Sequence, residues 1–573
     1  MQNKQPLVYN RKPLQWLHDA WHLARPYWQS EDKWRAIALV SIVIVFNLLT
    51  VYMAVLFNKW NNGFYDALQH LDKVQFFKLL IKFSYMAFFY IIFQIVAYYF
   101  HKILEIRWRR WLTKYYLNKW LAHHAYYKTR FLANFVDNPD QRISQDIASF
   151  ISVSLSLSLG FISNVVSLCS FVVVLWGLSG SFAVVIGGHH FLIAGYMVWA
   201  ALIYAIVGTY ITFKIGKPLI KLNFQQETVE ANFRFGLMRV REYGENIAFY
   251  HGEAQEQQSL VTKFTAVVDN FVGIIFRQLK INIFNIAYSQ IANIFPIVVA
   301  SPRYFAKIIQ LGDLMQIASA FGEVQGALSY FIDAYGSLAG WRAVMDRLYG
   351  FTAAVALASE LDPVVKHENT HSYLTVKNLD LMLPDKTTYL ARRINFNLAA
   401  GERLWIRGAS GCGKTTLLRT LAGLWPFSQG EILQNATKRE LFIGQRPYMP
   451  SVSLRAAIAY PLTTLPSTDE LLQVLRACGI AYLAPRLDED ADWGKILSLG
   501  EQQRVAFARI LINQPDIIYL DEATSAVDAA MEQHLYQILI EYLPNSVIIS
   551  VGHSSGLAPW HNQELNFNNL QSA

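Results

Sequence analysis

Between residues 37 and 338 the chain carries six apolar runs of near-membrane length, and nothing else in the sequence limits its fold so strongly. They are Ile37–Phe57, Phe83–Phe100, Leu155–Trp176, Phe191–Ile211, Ile281–Val299 and Leu314–Leu338, the last more polar and richer in glycine. A helix rises about 1.5 Å per residue, so roughly 20 residues cross a bilayer's hydrocarbon core. The runs therefore predict an all-α bundle of six transmembrane helices.

Composition agrees. Charged residues make up 16% of the chain, against about 25% in an average soluble protein, so lipid must solvate part of it. The formal charge of +8 does not point to nucleic acid, because the basic residues crowd into 102–130, 214–241, 277–280 and 342–347, between the apolar runs. The hydrophilic stretch Gly187–His190 is tiny by contrast, and positive-inside topology then assigns the long loops His101–Ser154 and Thr212–Lys280, with both termini, to the cytosol. Both long loops read as helical, so helices projecting beyond the membrane are expected. Residues 1–35 carry charges and prolines and lack the pattern of a cleaved signal peptide. The cysteines, Cys169, Cys412 and Cys478, form no disulfide or metal framework.

After Gly350 the apolar runs end, and the polar stretch Ala358–Ser372 reads as a linker into a second domain. A boundary near residue 355 gives a membrane part over 1–355 and a second domain over 356–573, where the strand Arg403–Ile406 runs into Gly408, Ala409, Ser410, Gly411, Cys412, Gly413, Lys414 and Thr415, followed by helix formers from Thr416. This strand, Gly-rich loop and helix predict an α/β P-loop nucleotide-binding domain over 356–573. Glycines let backbone N–H groups close on phosphates, Lys414 reaches the β and γ oxygens of ATP, and the Thr415 hydroxyl suits Mg²⁺ at the helix N-terminus. A second apolar strand, Ile517–Leu520, ends in Asp521, a carboxylate for the metal, and Glu522, a neighbour able to polarise an attacking water.

The element Leu497-Ser498-Leu499-Gly500-Glu501-Gln502-Gln503-Arg504, at its distance before Asp521, resembles the signature of ATP-binding cassettes of ABC transporters. The usual form is Ser-Gly-Gly-Gln; Leu499 and Glu501 depart from it in a way similar to family D (peroxisomal-type) transporters and their bacterial relatives. The resemblance implies that Ser498, Gly500 and Glu501 complete an ATP site on the opposite subunit, so that two chains work as a homodimer. It also implies roles for Gln445 as the Q-loop residue near the metal, His553 as the switch histidine at the γ-phosphate, and Asp528 as the D-loop residue coupling the two sites. The adenine-stacking aromatic of the family is replaced near Leu383-Pro384, which leaves either Tyr389 or no aromatic at all to stack on the adenine.

In the loops, Asn138-Pro139-Asp140-Gln141-Arg142-Ile143 and Gly244 to Glu253 resemble the two loop motifs of family D transporters, which makes Asp140, Arg142, Glu245 and Gly252 candidate coupling residues. The stretches Asn61–Gln69 and Phe321–Leu348 are similar to the bacterial BacA/SbmA-related branch. The resemblance thus implies an exporter-type fold that pumps a solute at the expense of ATP. For that branch the implied substrates are hydrophilic compounds or peptides crossing a bacterial inner membrane, with import possible on an exporter-type fold. An ATP-gated pore, or an exporter of lipid or acyl substrates, is the alternative. Glu323, Gln325 and Asp333 in the sixth run are cavity candidates, because an intramembrane carboxylate needs partners or water; the alternative for Glu323 is a pairing with a basic residue or with another helix.

Overall fold

A computed structural model of the chain describes residues 15–132, 138–186, 189–361, 366–368, 373–435, 437–552 and 554–570. They divide into two compact units, one drawn from Met1–Asn118 and Val136–Thr352, the other from Lys119–Phe135 and Ala353–Ala573.

The first unit is built on α1 (Gln15–Trp28), α2 (Lys33–Gln69), α3 (Lys73–Leu121), α4 (Ile147–Ser179), α5 (Tyr196–Glu242), the short α6 (Gly244–Phe249), α7 (Glu253–Phe305) and α8 (Leu311–Ser359). Five of these, α2 to α5 and α7, are long and apolar enough to cross a membrane, and the sixth expected run lies in the 49-residue α8. The helices outrun their apolar cores because Lys- and Arg-rich continuations keep the same backbone in water, α5 running on even past Pro218. At one point the expectation fails. Phe191–Ala194, read as the start of the fourth span, belongs to a hairpin in which Ser181–Ile186 pairs antiparallel with His189–Ala194. Gly180 and Gly195, both at φ 63°, stop the flanking helices, and the β-branched and aromatic residues between them suit strands.

Outside this hairpin the unit is held by helix–helix contacts. Phe171, Leu175, Met197, Ala300, Ile317 and Phe321 form a buried cluster joining α4, α5, α7 and α8. The stretch Asn61–Gln69 turns out to be one edge of a polar ladder between α2 and α8. Asn58 donates to the Gln316 backbone carbonyl and accepts from the Gln316 side-chain amide, Asn62 donates to Asp313 at 2.8 Å, and Asp66 and Gln69 accept from the backbone N–H groups of Gly312 and Leu311. Those N–H groups are the unpaired donors of the first turn of α8, so the α2 side chains act as its cap. The antiparallel pair α5 and α7 is tied by stacked Tyr204 and Tyr288 rings 4.4 Å apart and by Asn270, which donates to the Leu222 carbonyl at 3.0 Å.

The second unit centres on a five-stranded parallel sheet in the order Gln563–Asn566, Arg403–Arg407, Val547–Val551, Ile517–Asp521, Glu440–Ile443. Its middle strands are covered on both faces, which is why Ile517–Leu520 and Val547–Val551 are uninterrupted runs of buried residues. A four-stranded sheet of Lys366–Glu368, Ser428–Gln434, Leu374–Met382 and Tyr389–Leu398 stands beside it. The stretch expected as a linker over 358–372 is therefore partly structured, since α8 runs on to Ser359 and Lys366–Glu368 pairs with Ile432–Gln434.

Candidate functional site

Four neighbouring strands of the parallel sheet release their chains at the same, C-terminal edge, where such sheets hold their ligands. Arg403–Arg407 leads into the Gly-rich loop, Glu440–Ile443 into Gln445, Ile517–Asp521 into Glu522, and Val547–Val551 toward position 553. His553 itself lies outside the described residues. Motifs more than a hundred residues apart in sequence are gathered by strand pairing alone.

The loop from Gly408 takes its shape from glycines where a side chain would be strained, Gly411 at φ 79° and Gly413 at φ 111°. Gly413 caps α9 (Lys414–Leu421), so the first N–H groups of that helix face the loop's interior. Ala409 and Ser410 are exposed and Cys412 is buried. The loop is backed from the C-terminal segment: Asn568 accepts from the Ala409 N–H at 3.0 Å, and Phe567 lies under Gly408. No phosphate-loop motif points to Phe567 or Asn568, so sequence reading passed over them. Lys414 is buried, and its ammonium donates to the Gly408 and Ala409 carbonyls at 2.9 and 2.7 Å, folded along the loop that a phosphate would occupy.

Thr415 Oγ1 donates to Asp521 Oδ1 at 3.0 Å, joining the helix start to the strand end. Burial pushes the Asp521 carboxyl up from its usual range, Glu522 beside it adds to the rise, and Thr415, Arg419 and Lys414 oppose it. Thr416, one residue on, is half-buried in α9. Glu522 stands at φ 53°, in the left-handed region, with its N–H held by the Val551 carbonyl at 2.9 Å. A non-glycine residue in that region costs of order 1 kcal/mol or more, and such strain collects where a side chain must be aimed.

Ser498 is the N-cap of α10 (Leu499–Asn513). Its N–H and Oγ both meet Glu501 Oε2, at 2.8 and 2.7 Å, which closes a capping box. Glu501, the departure from the usual glutamine, thus does the work of an N3 acceptor and also accepts from the Tyr482 hydroxyl. A Cβ on Gly500 would stand 2.8 Å from the Ala526 carbonyl, so α10 approaches the 522–528 turn as closely as only glycine permits. Asp528 caps α11 (Ala529–Tyr542) by accepting from Met531 N–H at 2.9 Å. Gln445 is exposed, with its carbonyl bonded to Gln503. Tyr389 is 38% exposed and carries the Arg392 guanidinium 3.9 Å above its ring.

The candidate coupling residues separate. Asp140 is exposed in the helical turn Pro139–Gln141, whereas Arg142 is buried and bonded at 2.6 Å to Asp146, which Arg347 of α8 also grips at 2.7 and 2.9 Å. These bonds lie in a π-helical stretch, Arg142–Asp146, a distortion frequent at functional sites. Glu245 opens α6 and Gly252 caps α7; between them Phe249 and Tyr250 are 72% and 85% exposed. The segment Lys119–Phe135 is counted with the cassette unit, and within it Phe131 sits edge-on to Trp425 and Phe427, ring centres 5.0 and 5.5 Å away, over Met382. Sequence reading missed Phe131, although the aromatic run Tyr126, Tyr127, Phe131 was its signal. In α8, Glu323 is exposed, Gln325 donates to Ser329 at 3.2 Å, and the Asp333 side chain lies outside what is described.

Comparison with known proteins fits this arrangement. Residues 23–305 match the family model of ABC transporter transmembrane region 2, and residues 391–525 match the family model described as ABC transporter. An uncharacterized ABC transporter ATP-binding protein of Haemophilus influenzae is 40% identical over 96% of this chain and 92% of its own. The inner membrane ABC transporter ATP-binding protein YddA of Escherichia coli is 34% identical, covering 93% and 94%. ABC transporter D family member 2, chloroplastic, of Arabidopsis thaliana is 33% identical, covering 95% and 85%. A bacterial Atm1-family ABC exporter solved with ATP bound superposes with a TM-score of 0.70 at 18% identity, over 94% of both chains, and so shares the exporter-type fold. The protein is a multi-pass membrane ABC transporter whose one chain fuses a transmembrane region to an ATP-hydrolysing cassette, with family D half-transporters among its homologues.

Proposed function

We propose that the chain works as a homodimer in a bacterial inner membrane, where ATP binding and hydrolysis move a hydrophilic compound or peptide, with import open to it despite the exporter-type fold. Residues 1–355 would form the pathway and 356–573 the motor. The inner-membrane reading rests on the likeness to YddA, and the substrate class on the motifs Asn61–Gln69 and Phe321–Leu348. Glu323, Gln325 and Asp333 line the cavity in this reading.

The observation that carries the motor is the meeting of Lys414, the Thr415–Asp521 pair and the strained Glu522 at one sheet edge. The N–H groups of Gly408 to Thr416 cradle the phosphates, and Lys414 exchanges its two carbonyl partners for phosphate oxygens. Thr415, Asp521 and the Gln445 side chain are hard oxygen donors that fit Mg²⁺, which keeps few protein ligands beside phosphates and water. When bound, that ion neutralises charge developing on the β and γ oxygens. Glu522 accepts a hydrogen bond from the attacking water, whose oxygen bonds to the γ-phosphorus as the bond to the bridging β oxygen breaks, giving ADP and phosphate. His553 bonds the γ-phosphate. Ser498, Gly500 and Glu501 present the start of α10 to the partner's ATP, which is why one chain alone is incomplete. Asp140, Arg142, Glu245, Gly252 and Asp528 pass the closure on.

Glu522→Gln tests this. It should lower hydrolysis by at least about a hundredfold while ATP still binds, and ATP should then trap paired cassettes, read as a long-lived crosslink between Ser498→Cys and a cysteine beside the partner's Gly-rich loop. Lys414→Ala should show neither hydrolysis nor trapping. Wild-type hydrolysis in Glu522→Gln, or full activity in a strictly monomeric preparation, sinks the reading.

A further inference from the structure

Two buried polar side chains, Gln503 near the end of the signature element and Glu532 beyond the nucleotide motifs, bond to the 522–528 turn from two different helices. Gln503, on α10, is 0% exposed. Its amide N–H group donates to the Gln445 carbonyl at 2.9 Å and to Ser525 Oγ at 3.2 Å, and its amide oxygen accepts from the Ala526 N–H at 2.9 Å. Glu532, on α11, is 7% exposed. Its Oε2 accepts from Thr524 Oγ1 at 2.7 Å and its Oε1 from Ser554 Oγ at 2.8 Å, and Ser554 is the residue after His553. No Lys or Arg pairs with Glu532 among the described residues. The bonds form a single line from the segment after Glu440–Ile443, through α10, across Thr524–Ala526, through α11, to the segment after Val547–Val551. One end is the segment of Gln445, which the family resemblance places near the metal, and the other the segment of His553, which it places at the γ-phosphate.

We propose that Gln503 and Glu532 are positioning residues for ATP hydrolysis, clamping the turn that aims Glu522 and tying it to the segments of Gln445 and His553. This rests on Glu522 polarising the attacking water. A carboxylate buried without a cation is costly unless its oxygens are satisfied, and here both accept from hydroxyls of the segments it joins. Fully satisfied polar networks in low dielectric are stiff, so the clamp holds the strained Glu522 backbone in its left-handed conformation rather than merely filling space. Neither residue touches the nucleotide in this scheme, and the clamp should act on the chemical step rather than on ATP affinity.

The test is steady-state ATP hydrolysis by the full-length protein in lipid discs. Glu532→Leu and Gln503→Leu should lower kcat roughly ten- to hundredfold with KM for ATP within about twofold, the size expected when reacting groups are displaced without losing binding. Glu532→Gln should retain most of the activity, because the two hydroxyls can reorient toward an amide. Gln503→Glu should not, since a carboxylate faces the Gln445 carbonyl with no donor. Should a leucine variant fail to fold, Ser554→Ala and Thr524→Val remove one hydroxyl each and should each lower kcat severalfold. Folded variants with unchanged kcat, or a KM that rises in step with the loss, overturn the clamp. Glu522→Gln run in parallel separates the two ideas: if it is inactive while the clamp variants are normal, only the clamp falls, and if it is active both do.

Discussion

Gly500 illustrates how one position answers two demands. Its backbone belongs to the start of α10, where N–H groups await an anion, and its missing side chain lets Ala526 approach to the distance a Cβ would forbid. Gly500→Ala would ordinarily favour a helix by about 1 kcal/mol. Against a backbone carbonyl at 2.8 Å it should instead cost about 1–3 kcal/mol, because neither α10 nor the 522–528 turn can yield without the other. Thermal unfolding of the purified protein should fall accordingly, and ATP hydrolysis should fall further, since the displaced turn carries Glu522. Equal or raised stability would refute the close approach.

At the scale of elements, α10 depends on its capping box. Tyr482 and Ser498 hold the Glu501 carboxyl below the usual carboxylate range. A carboxyl lowered on folding stabilises the fold above its unfolded value near 4.5, and that contribution is lost as pH falls through the folded value. Glu501→Ala should cost about 1 kcal/mol at pH 7 and flatten the acid limb of the stability curve. Glu501→Gln keeps an N3 acceptor and should cost less at pH 7, again without the acid dependence. Denaturant unfolding of the full chain at a series of pH values from neutral into the acid range reads the difference.

At the scale of the whole molecule, the chain leaves the membrane unit at residue 118, contributes Lys119–Phe135 to the cassette unit, and returns at 136. Phe131, edge-on to Trp425 and Phe427, is the anchor of that excursion, and such aromatic pairs contribute about 0.5–1.5 kcal/mol beyond their buried area. Phe131→Ala should leave ATP binding intact and weaken the link between motor and pathway. The ATP-dependent signal from a fluorescent probe at Ser329→Cys on α8 should shrink severalfold, while nucleotide affinity stays within about twofold. An undiminished signal would remove Phe131 from the coupling path.

Whatever depends on periodicity and local backbone chemistry is legible in the sequence by itself. Membrane-length runs follow from the bilayer's thickness, and the Gly-rich loop with its strand and helix follows from the geometry of phosphate binding. The resemblance to family D rests on short motifs, and the family is borne out by relatives matching over nearly the whole chain. Only the tertiary structure decides contacts between residues far apart in sequence, which no local pattern encodes. Asn62 with Asp313, Arg142 and Asp146 with Arg347, and Phe131 with Trp425 are such contacts. The hairpin at Ser181–Ala194 defeats a sequence reading because an apolar run alone does not separate strand from helix; Gly180 and Gly195, with positive φ, decide it. What Gln503, though part of the signature element, and Glu532 bond to stays invisible for a related reason: a buried amide or carboxylate on a helix looks like any polar surface residue until packing brings its partners to it.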